Sequence, residues 1–139
     1  MSQDFSTYLD SVRVRRAELG DSVGALEAAL AEPDDDRERW VSRVHAAAME
    51  VRHDLADHCE VTERPGGLYE GLRAESLRLA GPLRQLQDEH PVLVGLADQT
   101  LASAAHDGAV DTAALRAEAS LLLRRLGEHR RRGADLIFE

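Results

Sequence analysis

Apolar residues recur three and four positions apart along nearly the whole chain, and no long stretch alternates with the two-residue period of a half-buried strand. Steps of three and four keep side chains on one face of a helix, so each run predicts a helix with an apolar stripe. A chain of 139 residues is long enough for one domain with its own core. The pattern therefore predicts an all-α domain spanning residues 1–139.

Turn-forming residues divide this pattern into four long helices and one short helix. The breaks are the Pro- and Gly-containing segments 32–34 and 64–67 and the turn at 105–108. We expect long helices at about 5–30, 34–62, 80–105 and 112–138, and a short helix at about 68–77. Long helices with short links predict an antiparallel up-down-up-down four-helix bundle, with the short extra helix between helices 2 and 3.

Three of these apolar stripes are interrupted by a histidine. His58, His90 and His129 occupy stripe positions on the second, third and fourth long helices. The residues that precede them on the stripes are Val51 and Leu55, Leu83 and Leu86, and Leu122 and Leu126, respectively. An imidazole at a core position is costly unless its nitrogens have partners. Three such positions on separate helices indicate a shared partner, and a metal ion is the simplest one.

The positions of these histidines along the bundle are compatible with one layer. His58, His90 and His129 lie 25, 18 and 21 residues from the end that holds the turns at Pro33 and Gly108. The spread of seven residues is about 10 Å along a helix. The three imidazoles are therefore expected to meet around one or two ions. Arg16 interrupts the stripe of the first helix near the same level.

Carboxylates cluster towards the same end of the bundle. Glu63 lies five residues after the first histidine and Asp135 lies six after the third, with Glu139 a weaker candidate at the terminus. Because an all-histidine site leaves the charge of an ion uncompensated, we expect Glu63 or Asp135 to ligate the ion or to hydrogen-bond a ligand. Glu89 adjoins the second histidine and is expected to point about 100° away from the stripe.

Composition excludes several other classes of protein. The 17 basic and 26 acidic residues give a net charge of −9, so no basic face is available for nucleic acid. No apolar run approaches the length needed to span a membrane, and the first six residues lack the basic and apolar regions of a secretory signal, so we expect none. Cys59 is the one cysteine, which fits a reducing compartment, and we expect it to fill space in the core. The expected location is cytoplasmic.

Three segments together resemble the hemerythrin-like, HHE-type cation-binding four-helix bundles, particularly divergent actinobacterial members. They run from His58 to Tyr69, over Glu89-His90, and from His129 to Glu139. The chain departs from the family pattern at several positions. Thr62 stands where the family has glutamate, Val94 stands where it has a second histidine, the spacing to Asp135 is six instead of five, and the first helix has no histidine.

The resemblance implies a four-helix bundle whose metal site has fewer ligands than the family pattern and is mononuclear or weakly dinuclear. It implies non-haem iron, with zinc or manganese as further possibilities, held by His58, His90 and His129 with Glu63 or Asp135 supplying charge. The implied activity is the handling of oxygen, peroxide or nitric oxide, or iron sensing. The implied partners are a metal ion and a small diatomic or peroxide ligand, with a protein partner or a homodimer left open.

Two alternatives fit the same residues. In the first, the chain is a metal-free regulatory or protein-interaction bundle in which the histidine layer is structural and fixes helix register. In the second, it is a three-histidine metal-dependent hydrolase or transferase of the DinB-like sort, although the His-x-x-x-His pair of that class is missing. Metal content of the purified protein separates the first alternative from a metal site.

Overall fold

The computed structural model describes residues 2–105 and 110–138, with side chains described for 8–105 and 110–136. The helices are α1 (Ser2–Ala31), α2 (Arg37–Glu63), α3 (Leu68–Glu75), α4 (Ala80–Ala104) and α5 (Thr112–Phe138), and a 3-10 turn (Leu77–Leu79) leads into α4. The described residues form no strand, so the prediction of an all-α bundle is confirmed.

Local capping explains where two of the long helices begin. The Asp36 carboxylate accepts a hydrogen bond from the backbone N–H of Arg39 at the start of α2. The Asp111 carboxylate does the same for the N–H of Ala114 at the start of α5. Such caps satisfy backbone donors that have no partner inside the helix. Beyond the end of α2, Gly66 adopts a positive φ of 74°, which favours glycine and turns the chain towards α3.

The long helices pack in the order α1, α2, α4, α5, with each in contact with the next. Consecutive helices run in opposite directions, because partner numbers fall along one helix as they rise along its neighbour. The pairs that show this are Ser22–Asp54 and Glu32–Arg43 for α1 and α2, Arg52–Asp98 and Glu63–His90 for α2 and α4, and Ser103–Glu118 and Glu89–Arg132 for α4 and α5.

Two apolar clusters form the core, and the histidine layer lies between them. Along α4, Leu86 belongs to the smaller cluster and Leu93 to the larger one, with buried His90 about one turn from each. Along α5, Leu126 of the larger cluster immediately precedes His129 on the stripe. The polar layer is therefore enclosed by aliphatic packing on both sides along the bundle axis, where solvation of a charge is poor.

The short helix α3 closes one end of the bundle over this layer. Leu68 and Tyr69 are buried in the smaller cluster, and the backbone N–H of Leu68 donates to the Tyr8 hydroxyl at 2.8 Å. This contact joins the start of α3 to α1. It also places the Tyr69 ring against His90, with ring centroids 6.0 Å apart and planes within 24°. Among the described residues, no helix is long and apolar enough to cross a membrane.

Candidate metal centre

The structure brings the three histidines of the predicted layer together. Ring centroids are 5.2 Å apart for His58 and His90, 5.5 Å for His58 and His129, and 4.9 Å for His90 and His129. Each ring offers a nitrogen, and these nitrogens all lie within 4.8 Å of one another. His90 and His129 are buried, and His58 is partly buried beside a cavity. The three rings lie closer together than the spread of about 10 Å that the residue count along the helices predicted.

Two of the imidazoles are held by glutamates from neighbouring helices. His90 Nδ1 lies 2.6 Å from a Glu63 oxygen, so α2 holds a ring that α4 carries. His129 Nδ1 lies 2.6 Å from a Glu89 oxygen, so α4 holds a ring that α5 carries. A carboxylate that accepts a hydrogen bond from Nδ1–H favours the tautomer in which Nε2 keeps its lone pair. This carboxylate–imidazole arrangement is the one that orients histidine ligands in metal sites.

The Nε2 atoms of the three rings have few hydrogen-bond partners among the described residues. His58 Nε2 and His129 Nε2 are 3.3 Å apart. His90 Nε2 is buried and has no hydrogen-bond partner among the described residues. A buried nitrogen without a partner is costly, and native proteins rarely leave one unless water or an ion binds there. The arrangement therefore has an unsatisfied acceptor at its centre.

The environment keeps His58 and His129 neutral. The pKa of His58 is lowered to about 3, mainly by burial, and the charges that His90, His129, Arg16 and Arg130 can carry act in the same direction. Burial also lowers the pKa of His129, although the hydrogen bond to Glu89 opposes that shift. Neutral imidazole is the form that binds a metal. At neutral pH, His58 and His129 are therefore ready to act as ligands without first losing a proton.

Glu89 has a role that the sequence analysis did not predict. The expectation that Glu89 points away from the layer was wrong. Glu89 contacts His129 directly and also forms an ion pair with Arg132. Neighbouring side chains on a helix lie about 100° apart around its axis, and this rotation directs Glu89 towards α5 instead of towards solvent. The available signal was its position next to His90 on the helix that packs against α5.

The predicted carboxylates differ in where the structure places them. Glu63 lies in the layer, on His90. Asp135 is exposed and lines a separate surface cavity with Pro82 and Gln85, away from the three histidines. Of the described residues, Asp135 is in none of the groups whose ligating atoms come together. Glu139 lies outside the described residues. The structure thus replaces Asp135 with Glu89 as the second carboxylate of the layer.

Cys59 lies at the edge of the layer. Its sulfur, a Glu63 oxygen and a His90 nitrogen form a second group whose atoms lie within 4.8 Å of one another. Burial raises the pKa of the Cys59 thiol to about 12, and the neighbouring Glu63 charge acts in the same direction. The thiol is therefore protonated at neutral pH. Use of this group as a separate ion site would displace the hydrogen bond between Glu63 and His90.

A third group of potential ligands lies earlier on α2 and is partly exposed. It comprises His53, Asp54 and Asp57. The His53 side chain is 72% exposed, and its Nδ1 lies 3.2 Å from an Asp54 oxygen. His106 lies outside the described residues. Exposed groups of this kind occur commonly on protein surfaces, so His53 serves below as a control.

A small cavity of about 20 Å³ adjoins the layer on the side of His58 and His129. Gly133 lies in its wall, one turn after His129, and nothing lies within 4 Å of the position that a Cβ would occupy there. The missing side chain at Gly133 therefore leaves space beside His129. Arg16 and Arg130 also line the cavity. A small ligand in this space would therefore contact two of the three rings.

No protein-family model, curated protein or solved structure matches this chain. The described residues contain groups of His, Cys, Asp and Glu whose side-chain geometry can hold a metal ion.

Proposed function

We propose that this chain is a metal-binding four-helix bundle whose ion is held by His58, His90 and His129. The observation that carries the proposal is His90 Nε2, which is buried and has no partner among the described residues while its Nδ1 is fixed by Glu63. An ion is the partner that satisfies this nitrogen together with the two facing nitrogens of His58 and His129. The residues present therefore fit a metal.

The separation of the facing nitrogens supports a shared ion. Two nitrogens bound to one tetrahedral ion at about 2.0–2.1 Å lie roughly 3.3–3.4 Å apart. His58 Nε2 and His129 Nε2 are 3.3 Å apart. Since the three ring centroids lie 4.9–5.5 Å from one another, the geometry favours one ion over two.

The donor set favours iron or zinc over manganese. Imidazole suits iron, zinc, copper and nickel, whereas manganese prefers oxygen ligands. The carboxylates of Glu63 and Glu89 are engaged on ring nitrogens, so the inner surface of the layer presents nitrogen. We propose iron as the resident metal because of the resemblance to hemerythrin-like bundles, with zinc as the alternative.

The glutamates supply orientation and charge compensation. Each accepts a hydrogen bond from a ring Nδ1–H, which fixes the tautomer and makes the opposite nitrogen a better ligand. Together they place two negative charges next to a site that would otherwise hold an uncompensated cation in an aliphatic core. Arg132 pairs with Glu89 and keeps that carboxylate aimed at His129.

Three protein ligands and an adjacent cavity leave room for a small ligand. A bound iron ion would supply redox chemistry and affinity for small molecules at that position. The function that we propose is the handling of oxygen, peroxide or nitric oxide, or iron sensing, by a hemerythrin-like site that has fewer ligands than the family pattern. The chain's own contribution is to hold the rings, to keep His58 and His129 neutral, and to enclose the site between two apolar clusters.

A second candidate function is a metal-free regulatory or interaction bundle. The observation in its favour is that His58 and His129 can satisfy one another through an N–H···N hydrogen bond at the same 3.3 Å distance. The layer would then fix helix register, as buried polar residues do in coiled coils. This candidate leaves His90 Nε2 without a partner, which is why we prefer the metal site.

Cobalt(II) titration tests the proposal, because cobalt reports its ligands through visible absorption. We expect one equivalent to bind to the untagged protein, and we expect single His→Gln changes at 58, 90 or 129 to abolish that binding or weaken it more than 100-fold. His53→Gln is the matched control, since it removes an exposed histidine from the same helix as His58. Circular dichroism establishes that each variant remains helical.

Three outcomes would contradict the proposal. Absence of cobalt binding by the folded protein would favour the metal-free bundle. Loss of binding in His53→Gln, with the three layer variants unaffected, would move the ion to the exposed group on α2. Equal weakening in all four variants would mean that the titration reports stability instead of ligation.

A further inference from the structure

The cavity beside the histidine layer has two guanidinium groups in its wall. Arg16 comes from α1 and Arg130 from α5, and both face the space next to His58 and His129. The residues that line this cavity, as far as the structure describes them, include no carboxylate. The whole chain carries 26 acidic residues and a net charge of −9. The wall of the cavity therefore carries positive charge, whereas the protein as a whole is negatively charged.

The packing of Arg130 depends on a glycine on the neighbouring helix. A Cβ at Gly20 would come within 2.7 Å of Arg130 Nη2. Because Gly20 has no side chain, the guanidinium can pack against α1. Arg130 Nε is buried and has no hydrogen-bond partner among the described residues. A buried donor of this kind carries an energetic cost that a bound acceptor removes.

The two guanidinium groups also act on each other. Burial lowers the pKa of Arg16, and the nearby charge of Arg130 acts in the same direction. Holding two cations close together is unfavourable in a poorly solvated place. A negative ligand between them would relieve this repulsion.

The size of the cavity limits what can bind. A cavity needs about 10–15 Å³ to hold a single water. The volume of about 20 Å³ therefore corresponds to one or two waters, so only a very small molecule fits. Val12 and Leu19 form an apolar part of the wall and are buried, so a larger anion would have to displace core side chains.

We propose that this cavity binds a small monovalent oxyanion, of the size of formate or nitrite, between Arg16 and Arg130 and beside His58 and His129. A guanidinium donates two parallel N–H groups to such an anion, which gives selectivity for charge and shape. As a ligand of the cavity beside the proposed metal, this anion rests on the proposed function. The two arginines need no metal to bind the anion.

Formate and formamide provide a matched pair of probes, since they have similar size and only formate is charged. We expect ¹H–¹⁵N resonances around the cavity to shift saturably with formate and nitrite, in both metal-free and zinc-loaded protein. Formamide and sulfate should cause no such shift, because the first lacks charge and the second is too large. Zinc content, measured on the same samples, reports the metal site separately.

Variants then assign the effect to the arginines. Loss of a hydrogen bond to a charged group predicts that Arg16→Gln and Arg130→Gln each weaken formate binding roughly 10–100-fold. Arg125→Gln is the matched control, because it removes an exposed arginine from α5 and should leave binding unchanged. Gly133→Val fills the cavity without altering charge and should also abolish binding.

The outcomes separate this inference from the proposed function. Zinc binding with equal responses to formate and formamide, or with unchanged formate affinity in both arginine variants, would overturn the anion site and leave the metal site standing. Arginine-dependent formate binding by a protein that takes up no zinc would support the anion site and contradict the metal site. If the arginine variants fail to fold, the comparison of formate, formamide and sulfate on the unmodified protein decides the matter.

Discussion

Glu89 of α4 accepts a hydrogen bond from His129 of α5, with 2.6 Å between the carboxylate oxygen and Nδ1. The contact crosses a helix interface and joins the residue next to His90 to the histidine of another helix. It therefore connects two members of the layer through one short segment of α4. If the layer holds an ion, Glu89 positions a ligand without contacting the ion itself.

Removing the charge of Glu89 should weaken metal binding without abolishing it. A carboxylate that orients a ligand typically contributes 10–100-fold to metal affinity, so Glu89→Gln should raise the Kd for zinc by that factor. Asp135→Asn is the control, because Asp135 is exposed on the same end of the bundle and should have no effect. Competition with a chromophoric chelator measures both. A larger effect at Asp135 than at Glu89 would contradict the site described above.

The neutral state of His58 predicts how stability depends on pH in the metal-free protein. Its pKa is about 3 in the folded chain, against about 6.5 in the unfolded chain. As the pH falls below 6.5, the unfolded state takes up a proton that the folded state does not. The free energy of unfolding should therefore fall by about 1–2 kcal/mol between pH 6.5 and pH 5 from this group alone.

Urea unfolding across that range measures the effect. Most carboxylates stay ionised above pH 5, so the window isolates the histidines. Burial lowers the pKa of His129 as well, so it contributes in the same direction. His58→Gln should make the dependence shallower, whereas His53→Gln should not remove this decline. The same dependence on pH in His58→Gln and in the unmodified protein would show that His58 titrates normally.

Core positions on either side of the layer should carry much of the stability. Leu122 is 0% exposed in the larger cluster and Leu86 is 2% exposed in the smaller one. Leu122→Ala and Leu86→Ala should each lower the free energy of unfolding by roughly 2–5 kcal/mol, because a buried side chain is lost and a cavity remains. Exposed Leu77 is the control, and Leu77→Ala should have little effect. Denaturant unfolding that showed near-zero changes at both core positions would mean that the helix register is wrong.

Gly133 offers a change that separates stability from ligand access. Because a Cβ there meets nothing within 4 Å, Gly133→Ala should raise the free energy of unfolding by up to about 1 kcal/mol through better helix propensity. The same methyl group lies in the cavity wall, so it should weaken formate binding. Thermal unfolding and formate titration measure the two effects. A destabilised Gly133→Ala variant would show that the space is already filled.

The helices were predictable because their signals are local. Caps such as Asp36 and Asp111, breaks such as Pro65-Gly66 and the apolar stripes each depend on residues within a few positions of one another. The convergence of His58, His90 and His129 could also be expected, since stripe positions on a bundle face the axis. The structure places them within 4.9–5.5 Å, measured between ring centroids, which the residue count alone did not fix.

The carboxylate partners were less predictable because spacing within one helix does not identify the helix beside it. Glu63 follows His58 by five residues and reaches His90, because α4 lies on that side of α2. Asp135 follows His129 by six residues and faces solvent instead. Glu89 lies about 100° from its neighbour His90, and only the position of α5 turns that direction into a contact with His129.

The central claim is that the His58–His90–His129 layer holds one metal ion, and elemental analysis of the protein purified without a metal-affinity tag tests it most directly. We expect about one equivalent of iron or zinc per chain, reduced to near zero in His90→Gln and unchanged in His53→Gln. A folded protein with no transition metal, which also fails to take up iron or zinc when these are supplied, would contradict the claim and favour a structural histidine layer.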